Sequence, residues 1–144
     1  METVEGYKKR LVLMDEREGT LAKVFGLMAP RVERAVFIMM DKLYPAYQGG
    51  YWEFVHVEST DPEVPSAFYM YPLLREAEIE IRWEDNCSKE KVSCETAGIV
   101  AMLFALSHLS FAVEASEKLS TMYMALLDYA MSHPDGAKIA AMID

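Results

Sequence analysis

The sequence predicts an α+β domain: a small antiparallel sheet of three to four strands packed against several helices. Three observations lead there: apolar residues at helical spacing before residue 45, strand-type runs between residues 51 and 84, and apolar-rich helical segments after residue 93. Strands and helices are grouped along the chain instead of alternating, which argues against parallel βαβ units. With 144 residues, 52% of them apolar and 11% aromatic, the chain can bury a core of ordinary domain size, so residues 1–144 read as a single domain.

In order, EREGTLAKVFGLM reads as a short helix broken near Gly26, and residues 1–24 otherwise carry no clear assignment. Pro30 suits a first helical turn, and Val32, Val36, Met39 and Leu43 then form one apolar stripe until Pro45 ends it. Gly49 and Gly50 provide positive-φ positions through which the chain leaves that helix. YWEFVHVE, the turn STDPEVPS and AFYMY form a hairpin, with Tyr51 and Trp52 on opposite faces and Trp52 in the core. AEIEIRWE is a third strand: Ala77, Ile79, Ile81 and Trp83 alternate with Glu78, Glu80, Arg82 and Glu84, giving one dry and one wet face. Ser93 caps the next helix, with Glu95 in its first turn, where a carboxylate complements the helix dipole. A helix from Ser116 to Ser132 turns Leu119, Met122 or Tyr123, Leu126, and Tyr129 or Ala130 inward. His133-Pro134 stops it, and a short helical segment runs to Asp144.

Charge limits the partner classes. The formal net charge is -9, and residues 53–90 hold ten acids against Arg75, Arg82 and Lys89. Direct nucleic-acid binding is disfavoured, because it draws on clustered cations and the only such cluster is Lys8, Lys9, Arg10. Ala97 to Val113 is free of formal charge, but 17 residues interrupted by Ser107, His108 and Ser110, closed by Glu95 and Glu114, describe a buried helix better than a membrane span. Two cysteines and no apolar leader in METVEGYKKR fit a reducing cytoplasm.

No catalytic constellation stands out. His56-Val57-Glu58 matches the H-x-E half of a zinc deaminase site, yet Cys87 and Cys94 lack the C-x-x-C spacing of the other half. Ser107, His108 and Ser110 point in different directions on a helix, and His133 reads as a helix-end residue touching terminal carbonyls. Neither a G-x-S-x-G elbow nor an H-E-x-x-H helix is present. No metal and no cofactor is expected. The eleven methionines read first as core filler.

The order of YQGGYWEF, AFYMYP, AEIEI, ETAGIVAMLFALSHLS and HPDGAKIAAMID resembles the ArdB/KlcA antirestriction proteins. The motif residues are Gly49, Gly50 and Trp52; Phe68, Tyr69, Met70 and Pro72; Ala97, Gly98 and Ile99; His133 and Pro134; and Ile143 and Asp144. The resemblance covers roughly residues 25–144. This chain departs from the family pattern in VESTDPEVPSA, which is longer than the usual glycine-containing hairpin tip, in Thr96 where alanine is usual, and in Met142.

The resemblance implies a cytoplasmic inhibitor, carried by mobile genetic elements, that blunts type I restriction of incoming DNA without enzymatic chemistry. Its implied partner is the type I restriction complex, at the subunit that translocates and cuts, with the inhibitor acting as a monomer or weak dimer. The family is thought not to mimic DNA, and the modest charge agrees. Candidate partner-surface residues are Tyr51, Tyr69 and Tyr71 as an aromatic patch, and Glu78, Glu80 and Glu84 as an acidic one. Two alternatives stay open: carboxylates on the third strand imitating phosphates, and an unrecognised small-molecule enzyme.

Overall fold

The computed structural model describes residues 4–112 and 116–144, so Val113 and Glu114 lie outside the described residues. The strands are β1 (Tyr7–Leu11), β2 (Trp52–Ser59), β3 (Ala67–Pro72), β4 (Glu78–Trp83) and β5 (Ser88–Ser93). The helices are α1 (Thr20–Phe25), α2 (Ala29–Leu43), α3 (Cys94–Ala112), α4 (Ser116–Ser132) and α5 (Gly136–Ile143). The architecture is α+β, with two antiparallel sheets of orders β1-β2-β3 and β4-β5.

The predicted hairpin is present, with Trp52 opposite Pro72 and Val57 opposite Ala67. Its third partner is not the alternating strand AEIEIRWE but the N-terminal β1, where Tyr7 faces Ser59 and Leu11 faces Val55. The alternation in β4 is as expected, with Ile79 and Ile81 buried and Glu78 and Glu80 exposed, but β4 pairs only with β5. A strand reading SKEKVS has one buried apolar residue, Val92, so hydrophobic periodicity does not reveal it.

Both faces of the three-stranded sheet are covered. On one, Phe68 meets Phe25 of α1 edge to face at 5.7 Å, and Trp52 lies 5.2 Å from Phe37 of α2. On the other, Tyr69 stacks on Tyr129 of α4 at 5.9 Å, and Tyr7 meets the same ring at 5.2 Å. Two-sided burial explains why β2 and β3 read as nearly continuous apolar runs.

Helix α3 runs through the middle, touching α2, α4, α5, β3, β4 and β5. Ala97 and every residue from Ile99 to Leu106 are buried, all but Phe104 completely. The window Cys94–Phe111 is long and apolar enough to cross a bilayer, but 61% of it is buried inside the protein, as for a core helix. Ser93 caps it as predicted, its Oγ accepting the Thr96 N–H at 3.1 Å.

Candidate docking face

Several of the motif residues meet near the start of α3. Gly98 lies against β3 so closely that a Cβ there would overlap the Tyr71 Cβ and the Met70 carbonyl. This contact brings Glu95 over the sheet. The Tyr69 hydroxyl donates to Glu95 Oε2 at 2.6 Å, and Lys9 Nζ of β1 donates to the same oxygen at 3.1 Å. The Lys9 and Glu95 side chains are only 8% and 14% exposed. Burial, then the Glu95 carboxylate, pushes the Tyr69 phenol far above its ordinary range. Tyr71 is pushed up to about 12, again chiefly by burial and then by Glu95.

A second polar chain ties α3 to the connection between α4 and α5. Thr96 Oγ1 donates to Asp135 Oδ2 at 2.7 Å, and the Asp135 N–H donates to His133 Nδ1 at 3.0 Å. His133, 5% exposed, thus takes part in the turn through a ring nitrogen that accepts. Asn86 Nδ2 donates to the carbonyls of Met142 at 3.0 Å and Asp144 at 2.6 Å, and Ser88 Oγ to that of Ala141 at 2.7 Å, so the β4–β5 connection holds the Ile143-Asp144 end.

Most of the remaining motif residues are structural as well. Gly49 and Gly50 have φ of 86° and 132°, the left-handed region expected of them. Trp52 is 3% exposed, and its indole N–H donates to the Tyr47 hydroxyl at 2.7 Å. Phe68, Met70 and Pro72 are buried, and Ala97 and Ile99 lie in the core.

The expected aromatic patch does not form. Tyr69 is fully buried, because strand alternation points it and Tyr71 at α3 and α4, and Tyr71 is half-buried; only Tyr51, 39% exposed, faces solvent. The acidic trio is likewise separate from Tyr51 in the chain's sheets. Glu78 and Glu80 share the exposed face of β4–β5 with Arg82, and Lys91 and Lys89 lie directly opposite Glu80 and Arg82. Arg82 Nη2 also reaches Glu80 at 3.0 Å. Two acids against three bases leave that ribbon face without an acidic surplus, and Glu84 stands in the turn beyond it.

What surrounds Tyr51 was not legible from spacing. The Arg17 guanidinium is held between two rings, 4.3 Å from the Tyr51 centroid and 4.4 Å from that of Phe54. Its Nη1 is shielded from solvent, and no hydrogen bond from the described residues reaches it. Beside it lies an open cavity of about 420 Å³, bordered by Glu18, Leu21, Ala29, Pro30 and Glu33. The Val12 N–H donates to the Phe54 carbonyl and the Leu73 N–H to that of Tyr51, both at 2.9 Å, which brings Leu13, Met14, Tyr51 and Leu73 to one end of the sheet. These four are 61%, 75%, 39% and 49% exposed, an apolar rim at that end of the sheet. A lone arginine in an unpatterned segment carries no sequence signal of this role.

His56, on the α1 side of the sheet, borders a neighbouring cavity of about 370 Å³ with Arg10, Asp15, Glu16 and Lys23. Burial first, then Arg10, holds its imidazole below the usual range. No group of three or more metal-ligating side chains occurs among the described residues.

Comparison with known proteins accords with this geometry. Residues 45–144 match the protein family described as antirestriction protein. An antirestriction protein KlcA of Escherichia coli is 32% identical over 138 residues, which span 93% of this chain and 92% of the relative. The uncharacterized protein YafX of Escherichia coli strain K12 is 30% identical over 119 residues, 78% of this chain and 70% of that one. A solved structure from work on KlcA and ArdB superposes with a TM-score of 0.83 at 32% identity, covering 100% of both chains. That work describes a novel fold and antirestriction activity against type I DNA restriction systems in vivo but not in vitro. This chain belongs to the antirestriction protein family.

Proposed function

We propose that this protein alleviates type I restriction of incoming DNA inside the bacterial cell, by docking on the restriction complex at the subunit that translocates and cuts. The observation that carries the reading is the full-length superposition, at 32% identity, on proteins with antirestriction activity against type I systems in vivo. Activity in vivo but not in vitro, as described for those proteins, fits a docking partner or a state of the target that only the cell supplies. Among the described residues, the surface best suited to docking is the Arg17 end of the sheet. Its apolar rim supplies contact area, and a guanidinium braced by two rings is pre-organised to meet a carboxylate or carbonyl.

Phosphate mimicry is the poorer reading, since Arg82, Lys89 and Lys91 offset Glu78 and Glu80 on the ribbon. The test is to express the protein in cells with an active type I system and plate unmodified phage. Plating efficiency rises if the proposal holds; an unchanged efficiency at normal protein levels overturns it. Arg17→Gln removes the charge and leaves a shorter, planar polar side chain in its place. It is expected to cost about 1 kcal/mol of stability through the lost cation–π contacts, yet to remove most of the protection.

A further inference from the structure

A second recessed surface lies where the end of β4 packs on α3. Trp83 ends β4 half-buried, with its ring stacked on Phe104 at a centroid distance of 4.4 Å and 29° between planes. It borders two cavities. One, about 340 Å³, lies against Asp41, Lys42 and Pro45 at the end of α2 and Glu84 and Asp85 after β4. The other, about 160 Å³, is bordered by Phe104, Ser107, His108 and Tyr123 as well as Trp83. Trp83 and Asp85 border both, so the carboxylates around the first cavity adjoin the aromatic side chains around the second.

Three features of this cleft favour a cation. Asp41, Glu84 and Asp85 have no side-chain hydrogen bond or ion pair among the described residues, and Lys42 is the single base against them around the first cavity. The indole ring is the strongest cation–π acceptor among side chains. The first cavity is also bordered by the last turn of the 15-residue helix α2, whose carbonyl end carries partial negative charge. Carboxylates beside aromatic surface suit a long side chain with an apolar stem and a cationic head.

We propose that the Trp83 cleft receives an arginine side chain of a partner protein. The guanidinium would lie flat against the indole and bridge Asp41 to Glu84 or Asp85, with the stem against the aromatic wall. This rests on the docking reading above and adds a second anchoring point, of opposite charge to the Arg17 end.

The test uses acetyl-Gly-Arg-Gly-amide and its norleucine counterpart, titrated into the full-length protein while the two indole N–H signals are followed by NMR. Trp52, whose indole N–H is held by Tyr47, serves as the internal reference. The arginine peptide alone should shift the Trp83 signal. Asp41→Asn and Asp85→Asn should each weaken binding about threefold, and the pair about tenfold, as for exposed ion pairs. In phage plating, the double variant should protect less than the parent. No shift of Trp83, an equal shift from the norleucine peptide, or full protection by the double variant overturns the cleft assignment while leaving the docking reading standing. Loss of that reading would show instead as no protection by the parent protein, whatever the peptide does.

Discussion

A methyl group at Gly98 would occupy space already held by the backbone of Met70 and Tyr71. Backbone cannot rotate away as a side-chain tip can, so Gly98→Ala must push α3 off β3, at about 3 kcal/mol. Urea unfolding followed by circular dichroism should show a lower midpoint at unchanged slope. Glu95 accepts from both Lys9 and Tyr69. Removing its charge alone leaves a nearly buried ammonium without its partner, so Glu95→Gln is expected to cost about 3 kcal/mol, and Lys9→Met with Glu95→Gln markedly less. The raised phenol of Tyr69 sets the sign of the alkaline response. Its folded pKa lies above the unfolded value of 10.0, so its contribution to stability is complete below pH 10 and is lost as pH rises further. For Tyr69 alone the loss is about 1.4 kcal/mol per pH unit, and Tyr71 adds to it up to about pH 12. Unfolding measured at pH 8 and pH 11 checks this: equal stability at the two would contradict the buried geometry.

Among the elements, the β4–β5 ribbon bears most directly on mechanism. Its acids look like a carboxylate ladder when β4 is read alone, but β5 places Lys89 and Lys91 across from them. Replacing Glu78, Glu80 and Glu84 together by glutamine should leave protection of unmodified phage close to that of the parent; its abolition would reinstate phosphate mimicry. The clip from α3 to the α4–α5 turn is a second case. The Thr96 hydroxyl donates to Asp135. Thr96→Ala therefore leaves a half-buried carboxylate short of a donor, at about 1.5 kcal/mol in thermal unfolding. Where element assignment from sequence succeeded, a strong periodic signal coincided with one-sided burial, as in α2 and β4. Strand β5 leaves no such signal, because its outward face carries lysines and its inward face a single valine.

At the level of the whole molecule, β1 decides how far the protein can be trimmed. Lys9 bonds to α3, Tyr7 packs on α4, and all five residues of β1 pair with β2. Deleting residues 1–12 would therefore bare the β2 edge and strand Glu95. The expected result is a chain with no cooperative thermal transition, read by differential scanning calorimetry. From composition, periodicity and motif order alone came the α+β class, the hairpin, the alternating strand, the buried helix α3, the positive-φ pair Gly49-Gly50 and the family resemblance. Each of these rests on local signals within a few turns of chain or on ordered motifs. The tertiary structure alone decided that β1 completes the sheet, that Tyr69 belongs to the core, that lysines face the acidic strand, and that Arg17 sits between Tyr51 and Phe54. Those outcomes depend on pairing partners 34 to 52 residues apart for β1, β2 and Arg17, and on which face a neighbouring strand presents. Side-chain spacing within one segment carries no record of what will lie across from it.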